Sequence, residues 1–447
     1  KNPIFSPTFV FQTMIGVIAL VGVRTMADGV SFITLGDWGG TALQEGSYSS
    51  NAKAVAKQLD STYNSLKPSF LLNTGDNFYW CGIQNTSDFQ IKTDFLDLYG
   101  IGNSGFGSLT WYGALGNHEY GYNVTAQLEL TNIIQQWSIP DRYYTQRIHL
   151  EGDHWMTVVV LDTSPCISEY RSSQKSGWDP CGEQYPTCSL SGGKDNFEGP
   201  CEFHQNILTQ DCSAQAAWLK GALAKVPSGD WLVVNGHHPA DEIDVEDLTS
   251  VLQQHGFDLY VNGHAHTLSH YSIDGAGIYV TSGAGSCVNV EAEDTVPPMM
   301  RTAGKNRTYN KVHGIPLKPY AGHAYKRIFN QKVAGFTTHT FSADYSTLTT
   351  NFVTSSGATI HSFTVAKGGK PTPSPAPAPP SPSPPPAPSP SPSGCCHYLD
   401  HSCSSGLVCC KSGCNDADSC SYSKSGCSGE YGKIHGCQWD GSKCVVP

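Results

Sequence analysis

Five short Gly-rich stretches carry side chains that could bind metal ions. They are GDWGG (36–40), GDNFY (75–79), GNHE (116–119), VNGHH (234–238) and GHAH (263–266). The oxygen and nitrogen donors that they supply are Asp37, Asp76, Tyr79, Asn117, His237, His264 and His266. Seven donors suffice for two ions that share one carboxylate, and such a pair can lower the pKa of a water and orient a phosphate ester for in-line attack.

Charge divides these donors into two sets. The anionic oxygens are Asp37, Asp76 and, once deprotonated, Tyr79. Tyrosinate is a hard ligand that favours trivalent iron, whereas Asn117 and histidine nitrogens suit a divalent ion. His264 and His266 are two residues apart, so on an extended segment their rings point the same way, one toward each ion.

Two further histidines could transfer protons. His118 follows Asn117 and is the better placed candidate for protonating a leaving group, and His238 is a second candidate. An ordinary hydrogen-bonded histidine is the alternative for each of them.

Strands and helices must position these residues. Each motif follows an apolar run, namely VSFITL (30–35), FLLN (70–73), WYGAL (111–115), WLVVN (231–235) or FDLYVN (257–262). Helical patterns cover 50–66, 124–137, 213–225 and 244–255, with Ser213 as the candidate cap of the third, and β-type alternation covers 268–274, 277–282 and 333–365. We therefore expect an α/β fold of two packed sheets flanked by helices, with the motifs at the carboxyl ends of strands.

The motif set resembles the purple acid phosphatases, a branch of the calcineurin-like metallophosphoesterases. The resemblance covers residues 30 to about 365, is closest to the small, mammalian-type enzymes, and implies a four-layer α/β/β/α sandwich. It implies an Fe(III) site formed by Asp37, Asp76, Tyr79 and His266, and a divalent site (iron, zinc or manganese) formed by Asp76, Asn117, His237 and His264. The implied reaction is hydrolysis of phosphate monoesters at acidic pH by a metal-bound hydroxide, without a phospho-enzyme.

The chain departs from this family in two places. Glu246 stands where members of the small branch usually carry a substrate-side histidine, within the acidic run ADEIDVED (240–247). Residues 164–212 hold five cysteines and no clear periodicity, where the family has an exposed loop over the active site. We expect that segment to be a disulfide-fixed rim or lid that governs access.

Composition predicts an extracellular glycoprotein. The chain has 447 residues, a net charge of −11 and no basic cluster, so nucleic acid is not an expected partner. Residues 1–27 are typical of a signal peptide; an uncleaved membrane anchor is the less favoured alternative, and no stable membrane span is expected. Seventeen cysteines indicate an oxidising compartment, and Asn85, Asn123 and Asn306 begin N-x-S/T glycosylation sequons.

Three regions follow residue 27. Residues 28–367 are the predicted catalytic domain, 368–393 a Pro/Ser-rich linker, and 394–447 a module with ten of the cysteines. The linker, similar to those of algal and plant wall proteins, favours polyproline II or a flexible tether. In the module, disulfides are preferred over zinc. Its aromatic side chains form either its core or a surface for cell-wall or matrix polysaccharide.

Two other functions remain open at this level. One is a phosphodiesterase or nucleotidase with the same metals, and the other is a structural or surface-assembly protein that carries a phosphatase-type head. The predicted catalytic domain contains seven cysteines, so one of them has no partner within it.

Overall fold

The computed structural model describes residues 28–40, 48–172, 201–288 and 323–368, with short strands at 370–371, 438–439 and 444–445. The predicted signal peptide, the sequon at Asn306 and nearly all of the linker and Cys-rich module lie outside the described residues. The chain divides into two units, Lys1–Ser374 and Pro375–Pro447, with the boundary inside the predicted linker. Within the described residues no helix is long and apolar enough to cross a membrane.

The first sheet has eight strands in the order β15-β14-β13-β12-β1-β2-β3-β4. Its strands are β1 (Asp28–Leu35), β2 (Phe70–Asn73), β3 (Thr110–Gly113), β4 (Trp137–Ser138), β12 (Gly335–Ser342), β13 (Thr347–Thr354), β14 (Thr359–Ala366) and β15 (Lys370–Pro371). Strands β1 to β4 run parallel, while β12 pairs with β1, and β13 to β15 follow, in antiparallel order. The carboxyl ends of β1, β2 and β3 therefore meet at one edge.

The second sheet has seven strands in the order β11-β9-β10-β8-β7-β6-β5. Its strands are β5 (Tyr144–Glu151), β6 (His154–Val160), β7 (Trp231–Asn235), β8 (Leu259–Asn262), β9 (Leu268–Ile273), β10 (Ala276–Ser282) and β11 (Tyr325–Gln331). Strands β6, β7, β8 and β10 are parallel, β5 pairs antiparallel with β6, and β9 lies antiparallel between β10 and β11. The second unit contains a separate two-stranded ribbon, formed by β16 (Gln438–Trp439) and β17 (Cys444–Val445).

The α-helices are α1 (Tyr48–Leu66), α2 (Val124–Glu129), α3 (Ser168–Arg171), α4 (Phe203–Leu208), α5 (Cys212–Leu223) and α6 (Leu248–His255). A π-helical segment spans Ile91–Asp97, and short 3₁₀ turns lie at Gly105–Ser108, His118–Tyr120, Leu130–Asn132 and Ser164–Cys166.

Burial explains why these segments fold as they do. β2, β7 and β8 are buried along their whole length, as expected for parallel strands covered on both faces. One hydrophobic cluster contains side chains from both sheets together with the buried faces of α1, α5 and α6. The predicted α/β fold with two sheets is thus confirmed.

Several local predictions differ from the structure. The helix predicted over 124–137 ends at Glu129, continues as a 3₁₀ turn, and is followed by β4. The helix predicted over 244–255 begins only at Leu248, because Asp247 caps it through the backbone N–H of Ser250. Ser213 is not the cap of α5. The carboxylate of Asp211 accepts hydrogen bonds from the N–H groups of Ser213 and Ala214, and Asp is a strong N-cap residue.

The segment 164–212 is not devoid of secondary structure where it is described. It contains α3 and α4, and a disulfide joins Cys166 to Cys212. Cys81 and Cys201 are each disulfide-bonded, but not to one another, since their Sγ atoms lie 3.5 Å apart. Cys287 is free and buried. The part of the predicted rim between residues 173 and 200 lies outside the described residues, so its role as a lid stays a prediction.

Candidate metal centre

Loops from the two sheets bring all seven predicted metal ligands together. Strands β1, β2 and β3 lead into the loops of Asp37, Asp76 and Asn117, and β7 and β8 lead into those of His237 and His264. The seven side chains are buried. Since β1–β3 and β7–β8 are parallel neighbours within their sheets, their carboxyl-terminal loops converge without any long excursion of the chain.

Four of the donor atoms form a first set around the phenol of Tyr79. Its hydroxyl oxygen lies 3.3 Å from Oδ1 of Asp37, 3.2 Å from Oδ2 of Asp76 and 3.1 Å from Nε2 of His266. The Nε2 atom of His266 is also 3.3 Å from Oδ1 of Asp37. Three oxygens and one nitrogen thus face a common point, which is the donor set that suits a trivalent ion.

The second set surrounds the amide oxygen of Asn117. This Oδ1 atom lies 3.0 Å from Nε2 of His237 and 3.1 Å from Nδ1 of His264. The Nε2 atom of His237 is also 3.3 Å from Oδ1 of Asp76. Asp76 therefore turns one carboxylate oxygen to each set, which is the position expected of a bridging ligand.

Hydrogen bonding fixes which nitrogen of His237 can bind a metal. Its Nδ1 atom lies 2.8 Å from the carbonyl oxygen of Thr74, which can only accept, so Nδ1 carries the proton. In the neutral ring Nε2 then holds a lone pair, yet it faces the oxygens of Asn117 and Asp76. Such a cluster of acceptors favours a cation at this point. Without a metal, a proton on the ring supplies the positive charge. Burial alone would lower the pKa of His237, but Asp76 raises it to about 9.

Without a metal the phenol of Tyr79 is protonated. Burial, with Asp76, Cys287 and Asp37 adding to it, raises the pKa of Tyr79 well above its usual range. A bound trivalent ion is the kind of charge that could offset this cost and stabilise the tyrosinate. The residues present therefore fit a hard, highly charged ion at the first set and a divalent ion at the second.

Unusual backbone conformations aim the ligands. Asp37, Asp76, His264 and His266 have φ angles of 55°, 51°, 66° and 48°, in the left-handed region that residues other than Gly seldom occupy. Each such residue costs about 1–3 kcal/mol and persists only where surrounding contacts hold it. Here the N–H of His264 donates to the carboxylate of Asp37 at 2.9 Å. Strain concentrated on four candidate ligands is typical of a functional site.

Adjacent glycines leave room for these contacts. A Cβ added at Gly263 would lie 2.3 Å from Oδ2 of Asp37, and one at Gly116 would lie 2.2 Å from Oδ1 of Asp76. Both distances are far below van der Waals contact, so any side chain here would displace a carboxylate. This explains why Gly flanks the motifs.

Sequence reasoning missed Glu119, which holds two of the ligand loops in place through hydrogen bonds to their backbone. Its buried carboxylate accepts hydrogen bonds from the N–H groups of Asp76, Asn77 and Phe78, at 3.0, 2.8 and 3.3 Å, and from that of Gly116 at 2.6 Å. It thereby joins the loop after β2 to the loop after β3. The available signal was an acidic residue directly after Asn117 and His118 with no role of its own.

His118 lies beside the first set. Its Nδ1 atom donates to the carbonyl oxygen of Trp80, and its Nε2 atom is 3.8 Å from Oδ2 of Asp76. Burial lowers the pKa of His118, although Asp76 opposes that effect. The ring packs edge-on against Tyr79, with centroids 4.6 Å apart, and Nε2 lies on the side of Asp76.

His238 is held on both sides. Its Nδ1 atom lies 2.8 Å from Oγ1 of Thr163 and its Nε2 atom 3.0 Å from the hydroxyl of Tyr170. Oγ1 of Thr163 already accepts from the N–H groups of His237 and His238, so its proton is directed to the His238 ring. This geometry favours a hydrogen-bonded histidine that fixes the loop, and proton transfer by His238 stays a prediction.

Glu246 does not extend toward the second set. Its carboxylate accepts a hydrogen bond from the hydroxyl of Ser213 at the start of α5. Within the acidic run, Glu242 is the residue that approaches the second set. Its Oε2 atom lies 3.5 Å from Nε2 of His264.

Comparison with known proteins identifies the fold. The Calcineurin-like phosphoesterase family matches residues 30–268, more than half of the chain. This protein belongs to that family. The phosphoesterase is 28% identical over 276 residues to the tartrate-resistant acid phosphatase type 5 of Homo sapiens, covering 59% of this chain and 76% of the relative. It is 29% identical over 266 residues to purple acid phosphatase 17 of Arabidopsis thaliana, covering 58% and 68%. The predicted resemblance to purple acid phosphatases is confirmed.

A solved structure shares the architecture of the phosphoesterase. It is described as GAP50, the anchor in the inner membrane complex of Plasmodium, and aligns with a TM-score of 0.51 at 18% identity. The alignment covers 77% of this chain and 90% of that one. At this identity the likeness shows the fold alone.

Two predicted glycosylation sites lie on the surface of the phosphoesterase. Asn85 and Asn123 are exposed. Asn123 also caps α2, accepting from the N–H of Ala126, and its amide nitrogen donates to the carbonyl of Gln84 at 3.2 Å. Exposure is a requirement for modification, and use of the sites stays a prediction.

Proposed function

We propose that this phosphoesterase is a secreted acid phosphatase that hydrolyses phosphate monoesters at a dinuclear centre of Fe(III) and a divalent metal, which is iron, zinc or manganese. The observation that carries the proposal is the phenol oxygen of Tyr79 within 3.3 Å of the carboxylates of Asp37 and Asp76. Tyrosinate beside two carboxylates favours trivalent iron. Similarity to tartrate-resistant and purple acid phosphatases supports the same activity.

The proposed ligands fall into the two sets described above. Asp37, Asp76, Tyr79 and His266 would hold Fe(III), and Asp76, Asn117, His237 and His264 would hold the divalent ion. Two such ions supply, when bound, a water of lowered pKa and the positive charge that stabilises a transferring phosphoryl group.

Residues of the chain other than the metal ligands have the remaining roles in the proposed reaction. His118 is proposed to carry a proton at Nε2 for the leaving alkoxide, since its Nδ1 is fixed by the carbonyl of Trp80. Glu119 holds the loops of Asp76 and Asn117 at a fixed separation through four backbone N–H groups. Burial of the whole set excludes bulk water and strengthens these electrostatic contacts.

Location and partners are part of the proposal. The predicted signal peptide, the cysteine content and the exposed sequons at Asn85 and Asn123 support secretion. The partners are phosphate-ester substrates and, through residues 394–447, cell-wall or matrix polysaccharide. Failure of the isolated 394–447 module to bind wall polysaccharides would remove only the second partner.

Initial rates on matched monoester and diester substrates test the reaction class. The proposal expects p-nitrophenyl phosphate to be hydrolysed faster than bis-p-nitrophenyl phosphate at acidic pH by the metal-loaded protein. A preference for the diester would instead assign the same centre to a phosphodiesterase. A metal-loaded protein inactive on both would favour the surface-assembly function, which the complete donor set does not favour.

A further inference from the structure

The acidic run that follows His238 folds back toward the second donor set. The N–H of Glu242 donates to the carbonyl oxygen of Pro239 at 2.9 Å, which closes a tight turn directly after the fourth motif. Ala240, inside this turn, is fixed on both sides: its N–H donates to the hydroxyl of Tyr271 at 3.3 Å and its carbonyl accepts from that of Thr249 at 3.1 Å. The position of Glu242 is therefore set by the fold.

The turn directs Glu242 at one particular atom of His264. Its Oε2 lies 3.5 Å from Nε2 of that ring, and both atoms are closed to solvent. The opposite ring nitrogen, Nδ1, lies 3.1 Å from the amide oxygen of Asn117, inside the second donor set. One nitrogen of His264 thus faces the metal position and the other faces a carboxylate.

The 3.5 Å contact favours one position for the proton of a neutral His264. A carboxylate can only accept, so the Nε2 side is the favoured place for the ring's single proton. Nδ1 then presents its lone pair to the divalent position. His237 follows the same logic with its nitrogens exchanged, since the carbonyl of Thr74 accepts from Nδ1 and leaves Nε2 for the metal.

The two outer acceptors differ in charge. Thr74 offers a neutral carbonyl to His237, whereas Glu242 offers a carboxylate to His264. A carboxylate behind a ligating imidazole raises its basicity and fixes its orientation, and loss of such a partner costs about 10–100-fold in metal affinity. The divalent set otherwise contains only one anionic ligand, the shared Asp76, so a second nearby negative charge favours a divalent cation there.

We propose that Glu242 is a positioning residue of the divalent site, which holds His264 with Nδ1 directed at the metal and tightens binding of the divalent ion without affecting Fe(III). This rests on the proposed dinuclear function. Glu242 lies four residues before Glu246, the position at which the family resemblance implies a substrate-side histidine. Glu246 instead bonds Ser213 and serves as the matched control.

The test measures metal binding rather than turnover. Purified protein with iron retained is dialysed free of the divalent ion, and its dissociation constant for Zn²⁺ is measured by competition with a chelator of known affinity. We expect Glu242→Ala to weaken Zn²⁺ binding by about 10-fold or more. Glu242→Gln, which keeps an acceptor oxygen, should lie between Glu242→Ala and the unmodified protein, and Glu246→Ala should equal the latter.

Iron content and the visible absorption band are recorded for each variant, with thermal unfolding as a check on folding. Equal Zn²⁺ affinity for Glu242→Ala and Glu246→Ala would overturn the positioning role while leaving the dinuclear centre intact. Loss of iron and Zn²⁺ together in Glu242→Ala would also overturn it, since the effect would then not be confined to the divalent site. Failure of the unmodified protein to bind two metals would contradict the proposed function itself.

Discussion

Oδ2 of Asp76 lies 3.2 Å from the phenol oxygen of Tyr79, while Oδ1 of the same carboxylate faces the other donor set. One side chain therefore links two groups of ligands that reach the centre from different strands. Among the seven donors, this shared position makes Asp76 the one whose loss should affect both ions.

Replacing Asp76 with Asn should remove both metals together. An amide in place of the bridge withdraws a negative charge from each set, and we expect activity to fall by about 10³-fold, because metal charge stabilisation contributes several kcal/mol to catalysis. Elemental analysis of the purified variant checks the cause. Asp60→Asn, on the exposed face of α1, is the matched control. Full iron and divalent content in Asp76→Asn would contradict the bridging role.

Replacing His118 with Ala should slow only substrates that need a proton on the leaving group. We expect kcat for an alkyl phosphate to fall by about 10²-fold or more, since general-acid catalysis contributes 10²–10⁴-fold. p-Nitrophenyl phosphate, whose leaving group is stable as an anion, should be affected far less. Parallel kcat measurements on both substrates decide the matter, and an equal loss on both would argue that His118 only shapes the site.

Glu119 should be important for stability as well as for the site. In Glu119→Gln one carboxylate oxygen becomes an NH₂ group, which would face two backbone N–H donors. These are the N–H groups of Asp76 and Gly116 or, with the amide flipped, those of Asn77 and Phe78. A buried donor left without its acceptor costs about 1–3 kcal/mol. We expect the free energy of unfolding in urea to fall by at least that amount. Glu129→Gln, on the exposed side of α2, should leave it unchanged; similar values for the two variants would refute the account.

A histidine outside the two donor sets should make stability depend on pH. Burial alone would lower the pKa of His323, but hydrogen bonds to Asp274 and Asp247 raise it above its usual value, and the pKa values of both carboxyls are lowered. The histidine's contribution is therefore complete below its unfolded pKa, near 6.5, and is lost as pH rises through its folded pKa.

The variant His323→Asn tests that assignment. The difference in melting temperature between the unmodified protein and the variant should be larger at pH 5, where the ring is charged and both carboxylates are ionised, than at pH 9. The double variant Asp247→Asn/Asp274→Asn should abolish this pH dependence. A difference that is constant from pH 5 to pH 9 would show that the ring contributes by packing alone.

The motifs and their strands could be predicted because the signal is local. β2 and β7 match the apolar runs before GDNFY and VNGHH residue for residue, since fully buried parallel strands read as continuous hydrophobic segments. All seven candidate ligands belong to the five Gly-containing motifs, and all seven lie in one buried site.

What the sequence did not reveal depends on contacts between distant segments. Glu119 and Glu242 acquire their roles from backbone groups and a histidine that lie far from them along the chain. The fixed ring of His238 depends on Thr163 and Tyr170, which lie about 70 residues earlier. Spacing within one motif carries no information about such partners. The sequence therefore pointed to Glu246, whereas the structure shows that Glu242 is the residue that approaches His264.

The visible absorption spectrum of the purified, metal-loaded protein tests the central claim most directly. If the Tyr79 phenolate binds Fe(III), the protein should be coloured by a tyrosinate-to-iron charge-transfer band, and Tyr79→Phe should lose that band while keeping a folded core. Tyr99→Phe, another buried tyrosine but one that packs against Trp38 and Trp111 in the core, should keep the band. A colourless iron-loaded protein, or a band that survives in Tyr79→Phe, would contradict the assignment of the first donor set.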